Sequence, residues 1–409
     1  MEIKPIFKGE NVLPIVFAFN DEYSKYFSVA LQSLIENSSK NYNYDIVALI
    51  SDVQEDNKKT LLKMIPNNFS LRFFNMKEYL PVKFKDIELK TLKYYSEDIY
   101  YRLFIPFLFK NYEKVIYLDS DIVVEEDIAN LYMDLENYKI AAALDTIVPF
   151  LELRTDRLEH MKNILNLRNE NLYFNSGVLL FNLKNISLSE YVSNLLKALQ
   201  IDDLLFPDQD ILNTIFQDKV KFLPRKWNFN SSPYVNDDFY EQIKGEYKDD
   251  FLSARKKPSL IHYTSHYKPW NNNKNPNYEI FWKYARKTPF YEEILYARDQ
   301  AMIVKSTRFI DLYFKIKNSS NIVFWGASLF LKEFLQMYNI DSTDILGIID
   351  TNPKLWQEKM SNYTIYSPKD LKKLNPDVVI ITIINADYRA DIQEFIQNEQ
   401  ITTELLTVF

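Results

Sequence analysis

Cysteine is absent from the 409 residues. Without thiols there is no disulfide framework and no thiolate centre, a composition that suits a reducing compartment. Glycine is nearly as scarce, at 5 residues, which argues against chemistry built on a glycine-rich loop. No apolar run approaches the roughly 20 residues that span a bilayer. The opening "MEIKPIFKGENVLP" has neither the basic nor the apolar region of a signal peptide. Positive charge is also short: 49 Lys and Arg against 56 Asp and Glu leave a net −7, so non-specific nucleic-acid binding is not expected. These absences point to a soluble, cytoplasmic chain. At 47% apolar and 26% charged it is globular, and it is long enough for two domains.

The chain is rich in short apolar runs that alternate with helical patterns. "PIVFAF" (14–19), "YDIVALIS" (44–51) and "FSLRFFNM" (69–76) read as strands. Between them, "YSKYFSVALQSLIENSS" and "EDNKKTLLKMI" carry helical spacing, and the alternation predicts a largely parallel α/β sheet. "SEDIYYRLFIPFLFKNY" (96–112) predicts a helix that starts at Ser96 and is kinked or split by Pro106. "KIAAALD", "YFNSGVLLFNL", "KVKFLP" and "PSLIHYT" follow as strands, with helices at "LSEYVSNLLKAL" and "PDQDILNTIF". A second α/β unit opens at "NIVFWGAS" (321–328) and runs through "ILGIID" and "PDVVIITI". The expected organisation is a catalytic domain over 1–277, a helical connector over 278–319 and an accessory domain over 320–409.

"VIYLDSDIVV" (115–124) delivers two acids at the end of a strand. In an extended strand, positions 119 and 121 share a face, and ligands of parallel α/β sheets gather at strand carboxyl ends. Two like charges there are tolerable around a hard divalent cation that also bridges to phosphate. The motif alone leaves three readings open. It is a metal platform, a solvated turn, or the nucleophile segment of a haloacid dehalogenase-type, Mg²⁺-dependent phosphoryl-transfer enzyme. The last usually has a threonine in its continuation, whereas Ile122–Val123–Val124 follow here. A second D-x-D, Asp208–Asp210, lies in "PDQDILN".

A set of motifs in a fixed order carries a resemblance. "FAFNDEY", "YYRLFIPFLF" with "KVIYLDSDIVV", "YFNSGVLLFNL", "PDQDILN" and "HYTSHYKPW" together resemble the family 8 glycosyltransferases. These are retaining enzymes with a GT-A fold that use nucleotide sugars. The resemblance covers residues 14 to about 285. It implies Mn²⁺, with Mg²⁺ as the alternative, held by Asp119, Asp121 and His262, and a UDP-hexose donor. It implies nucleotide contacts from Ala18, Asn20, Tyr23 and Ser120, with Asn20 on the uracil edge and Tyr23 stacked on the base. Arg102 and Lys268 would meet the diphosphate or sugar. Asp145, Asn175, Asp208 and Gln209 would line the donor sugar, with Gln209 beneath the anomeric carbon. The family usually has glycine where Ser265 stands, and serine there is expected to forgo a left-handed backbone. The implied acceptor is a glycan, glycolipid or glycoprotein. Peripheral association with the inner face of the membrane is also implied, and a non-catalytic sugar-binding scaffold is the remaining alternative.

The second α/β unit resembles a degraded dinucleotide-binding strand–turn–helix. Gly326 is kept, Ser328 and Leu331 replace two glycines, and Asp350 ends the second strand. A role in acceptor recognition, homodimerisation or stabilisation is expected, rather than NAD binding.

Overall fold

A computed structural model describes residues 2–9, 11–84, 97–233, 235, 237–243, 245, 247–338, 344–383 and 385–409. The chain divides into two compact units, Met1–Arg298 and Asp299–Phe409.

The first unit is built on seven strands: β1 (Val12–Phe19), β2 (Asn43–Ile50), β3 (Phe69–Asn75), β4 (Lys114–Leu118), β6 (Ile140–Leu144), β7 (Phe174–Asn182) and β8 (Val220–Phe222). Their order is β3-β2-β1-β4-β7-β6-β8. The pairs β1–β2, β2–β3, β1–β4 and β6–β8 are parallel, whereas β7 runs antiparallel to β4 and β6. Continuous apolar runs suit strands covered on both faces. Leu13, Ile15, Phe17 and Phe19 of β1 pack into one apolar layer with the helix Ser24–Glu36. Val16 and Ala18 face the other layer, with Tyr100, Leu103 and Leu212.

A second sheet holds β5 (Ile122–Val124), β9 (Phe229–Asn230) and β10 (Leu260–His262), in the order β5-β10-β9. This corrects the expectation that the acidic pair lies within one extended strand. β4 ends at Leu118, and Asp119–Ser120–Asp121 bridge to β5 in the other sheet. The acids therefore converge because the chain changes sheets, not through period-2 alternation. The segment before β4 also differs from expectation. It is a 3₁₀ helix over Glu97–Phe104 followed by a short α-helix, Ile105–Leu108, with Pro106 in its first turn. Proline is tolerated at a helix start but not inside one. The expected start at Ser96 lies outside the described residues.

The second unit has strands β11 (Ile322–Trp325), β12 (Ile345–Ile349), β13 (Lys359–Met360), β14 (Tyr363–Tyr366), β15 (Val378–Ile381) and β16 (Glu404–Thr407), ordered β13-β14-β12-β11-β15-β16. All pairs but β13–β14 are parallel. Gly326 takes φ +110°, and a Cβ there would sit 2.5 Å from Ile383 Cγ1. The backbone N–H of Ala327 donates to Asp350 Oδ2 at 2.8 Å. The glycine and the acid of the degraded motif thus serve the loop's own packing. Among the described residues, no helix is long and apolar enough to cross a membrane.

Candidate active site

The site lies where the carboxyl end of β4 meets the start of β7 and the end of β10. Leu118 pairs with Val178, and the Asp119 N–H donates to the Gly177 carbonyl at 2.8 Å. His262 is in register with Ile122, and the Tyr263 N–H donates to the Asp121 carbonyl at 3.0 Å. Strand pairing therefore brings together residues more than 140 positions apart in sequence. One ligand atom from each of Asp119, Asp121 and His262 can be chosen so that all lie within 4.8 Å of one another.

The donor set fits a divalent ion. His262 Nδ1 lies 3.0 Å from Asn228 Oδ1, and Asn228 Nδ2 donates to Asn175 Oδ1 at 2.8 Å. That network makes Asn228 Oδ1 an acceptor and puts the imidazole proton on Nδ1. Nε2 then turns its lone pair toward Asp119 Oδ2 at 3.5 Å and Asp121 Oδ1 at 3.3 Å. A lone pair facing two carboxylates calls for a cation between them, and the Asn228 partner orients the ring as supporting hydrogen bonds do in metal sites. Gly177 makes room for this cradle, because a Cβ there would meet His262 Cε1 at 2.2 Å and Asp119 Oδ2 at 2.7 Å.

Two cations flank the acids. Lys268 Nζ lies 2.5 Å from Asp121 Oδ2 and donates to the Tyr263 carbonyl. Burial works against the Asp121 anion, but the Lys268 ammonium beside it outweighs burial and holds the carboxyl well below the usual range. Arg102 is buried, contacts Asp119 Oδ1 at 2.8 Å and Asp208 Oδ2 at 3.1 Å, and donates to the Ser176 carbonyl at 2.9 Å. Burial disfavours its charge, yet the two carboxylates raise its pKa above the ordinary arginine value. Arg102 thus ties the first acidic motif to the second. Asp208 also accepts from Ser176 Oγ at 2.7 Å, and burial raises its carboxyl despite Arg102.

Asp145, Asn175 and Gln209 form one hydrogen-bonded group. Asp145 Oδ2 accepts from Asn175 Nδ2 and Gln209 Nε2, both at 3.1 Å. The Ser176 N–H donates to Gln209 Oε1 at 3.1 Å. Asp208 and Gln209 sit in the first turn of the helix Pro207–Ile215.

A cleft of about 1400 Å³ contains every residue singled out in the sequence for the site, from Ala18, Asn20 and Tyr23 through Ser120 to Ser265 and Lys268. Asn20 Oδ1 accepts the Tyr23 N–H at 3.1 Å, which leaves its amide nitrogen to act as a donor. The Tyr23 phenol stays protonated because burial, then the charges of Asp121, Glu22 and Asp119, raise its pKa. Its ring meets Tyr26 and Trp270 edge-on, at 5.4 and 6.2 Å between centroids. Ser265 corrects an expectation. It takes φ +72°, so the left-handed turn is kept at the roughly 1–3 kcal/mol that such a conformation costs a non-glycine residue. Asn228, Tyr117 and Ser176 carried no sequence signal of their own; each acts on a neighbour rather than forming a motif. Tyr117 donates to Asp119 Oδ1 at 2.8 Å.

A mixed sheet flanked by helices, with an acidic pair, an imidazole and two cations at one strand edge, has the architecture of a GT-A fold, and a separate Rossmann-like α/β domain follows it in the chain. The sequence profile of glycosyl transferase family 8 matches residues 14–274, and the chain belongs to that family. A profile described as C2185-like, N-terminal, matches residues 318–405. A putative glycosyltransferase of Haemophilus influenzae is 32% identical over 53% of this chain and 62% of its own length. Glycosyltransferase GlyB of Streptococcus pneumoniae is 28% identical over 96% of this chain and 89% of its own. Among solved structures, the bifunctional glycosyltransferase WbbM superposes with TM-score 0.64 at 33% identity, over 73% of this chain and 53% of that one. Galactosyltransferase LgtC, in complex with donor and acceptor sugar analogues, gives TM-score 0.54 at 25% identity, over 68% and 96%. The chain thus spans less than two thirds of the Haemophilus protein and of WbbM. Membership in that family sets the chain apart from haloacid dehalogenase-type enzymes.

Proposed function

We propose that the protein is a metal-dependent, retaining hexosyltransferase. It moves galactose or glucose from a UDP-sugar to a glycan, glycolipid or glycoprotein acceptor in cell-surface glycan assembly. The observation that carries this reading is the convergence of Asp119, Asp121 and His262 in the same cleft as Lys268, Asp208 and Gln209. Mn²⁺ held by the three ligands would supply Lewis-acid stabilisation of the UDP leaving group; its donor set of two carboxylates and an imidazole favours Mn²⁺ over Mg²⁺.

In this reading the Asn20 amide nitrogen donates to a uracil carbonyl and Tyr23 stacks on the base. Lys268 moves its ammonium from Asp121 onto the β-phosphate as charge develops there. Asp145, Asn175 and Asp208 hold the sugar hydroxyls. The bond between C1 and the β-phosphate oxygen breaks, and the acceptor oxygen bonds to C1 from the same face. The acceptor proton passes to the departing phosphate oxygen. Gln209 is an amide and a poor nucleophile, so its carbonyl stabilises the oxocarbenium-like sugar instead of forming the covalent intermediate typical of retaining glycosidases. The same reading places the enzyme in the cytoplasm, at the inner membrane face when its acceptor is lipid-linked.

A panel of UDP-hexoses with Mn²⁺, followed by NMR of the product, tests this. Hydrolysis or transfer that yields the α-anomer from an α-linked donor is expected, and Asp121→Ala should abolish it. An inverted product would overturn the mechanism, and absence of turnover on every UDP-hexose would favour a sugar-binding scaffold.

A further inference from the structure

His160 and the buried Asp210 form a pair that the reaction above does not use. Asp210 is fully buried in the first turn of the helix Pro207–Ile215, beside Gln209. His160 Nε2 lies 3.1 Å from Asp210 Oδ2. The same oxygen accepts the N–H groups of Leu205 at 2.9 Å and Phe206 at 3.1 Å. Tyr173 OH donates to Oδ1 at 2.5 Å. Four groups of the protein thus surround the carboxylate, which is fully buried. It fixes the imidazole: an acceptor-only carboxylate keeps the proton on Nε2 and leaves a lone pair on Nδ1. Among the described residues nothing pairs with Nδ1, although the His160 side chain is only 9% exposed and lines the cleft.

The backbone is irregular at this point. A π-helical turn runs over His160–Ile164, and the Leu165 N–H donates to the His160 carbonyl at 3.1 Å. Such turns re-aim side chains and recur at functional sites. The pair is also continuous with the proposed sugar pocket, because the Asp145 N–H donates to the carbonyl of Tyr173 at 3.0 Å.

We propose that His160, held by Asp210, is a specificity-determining residue whose Nδ1 accepts a hydrogen bond from a sugar hydroxyl next to Gln209. This rests on the transferase reading. Two assays distinguish the sources of that hydroxyl. Hydrolysis of UDP-glucose and UDP-galactose without acceptor reads the donor sugar, and transfer to a panel of methyl hexosides at millimolar concentration reads the acceptor. His160→Ala is expected to raise KM for one of the two sugars about tenfold, with kcat for the other and the affinity for UDP alone unchanged. His160→Asn, which keeps an acceptor oxygen, should recover part of the loss. Melting temperatures report whether each variant is folded. A folded His160→Ala with wild-type KM in both assays would overturn the inference. A wild-type protein that neither binds UDP nor turns over any UDP-hexose would overturn the transferase reading instead.

Discussion

Gly177→Ala is the most informative single substitution, because it adds one methyl group at the centre of the metal cradle. The new Cβ would lie 2.2 Å from His262 Cε1, 2.7 Å from His262 Nδ1 and 2.7 Å from Asp119 Oδ2. Ordinary carbon contacts lie near 3.5–4.0 Å, so the ring must retreat by roughly 1.3 Å or more. β7 cannot yield, since it is hydrogen-bonded to β4 and β6 and buried along its whole length. The strain falls on His262 and its bond to Asn228. Overpacking of this kind costs about 1–3 kcal/mol of stability. Losing the orienting contact of a metal ligand typically lowers metal affinity about 10- to 100-fold. Calorimetric titration of Mn²⁺ in the presence of UDP, with a melting curve for the apo protein, separates the two effects. A Gly177→Ala protein that binds Mn²⁺ as tightly as the wild type, with unchanged turnover, would refute the reasoning.

Asn228→Leu should reproduce the loss of Mn²⁺ affinity without steric strain, by removing the acceptor that fixes the His262 tautomer; unchanged Mn²⁺ affinity would mean that the ring is held by other contacts. Tyr23→Ala should weaken UDP binding by about 1–3 kcal/mol, the range for a base–aromatic stack, beside a loss of stability from its packing on Tyr26 and Trp270. Fluorescence titration with UDP checks this. Glu126 gives a pH effect of defined sign. Burial opposes its charge, but hydrogen bonds from Ser259 and Lys226 hold it below the ordinary glutamate range. A depressed carboxylate pKa stabilises the fold above the unfolded value, and the benefit is lost as pH falls through the folded one. Glu126→Gln should therefore flatten the acid limb of the stability profile by less than about 1 kcal/mol, given its partly exposed position.

The chemistry of the site was more legible than its geometry. Asp119 and Asp121 drew attention through their own motif at a strand end, whereas His262 and Lys268 entered only through the family resemblance. How they meet was hidden, because it depends on β4 passing the chain from one sheet to another and on β10 pairing with β5. Period-2 reasoning placed the acids on one strand face; the observed convergence arises at a strand break. Ser265 shows the limit of propensity, since local preference argued against the left-handed turn that the surrounding loop nevertheless takes. The helix expected over 96–112 was replaced by 3₁₀ geometry and a short α-turn around Pro106. Asn228 and the pairing of His160 with Asp210 were hidden for a common reason. Each works through a partner distant in sequence, and one sequence records no pairing.

Anomalous diffraction at the manganese edge, from crystals grown with UDP and Mn²⁺, tests the central claim most directly. A single strong peak bounded by Asp119, Asp121 and His262, with the diphosphate against Lys268, is the predicted result. Manganese at any other position, or UDP seated in the cleft with no metal between it and the two acids, would contradict it.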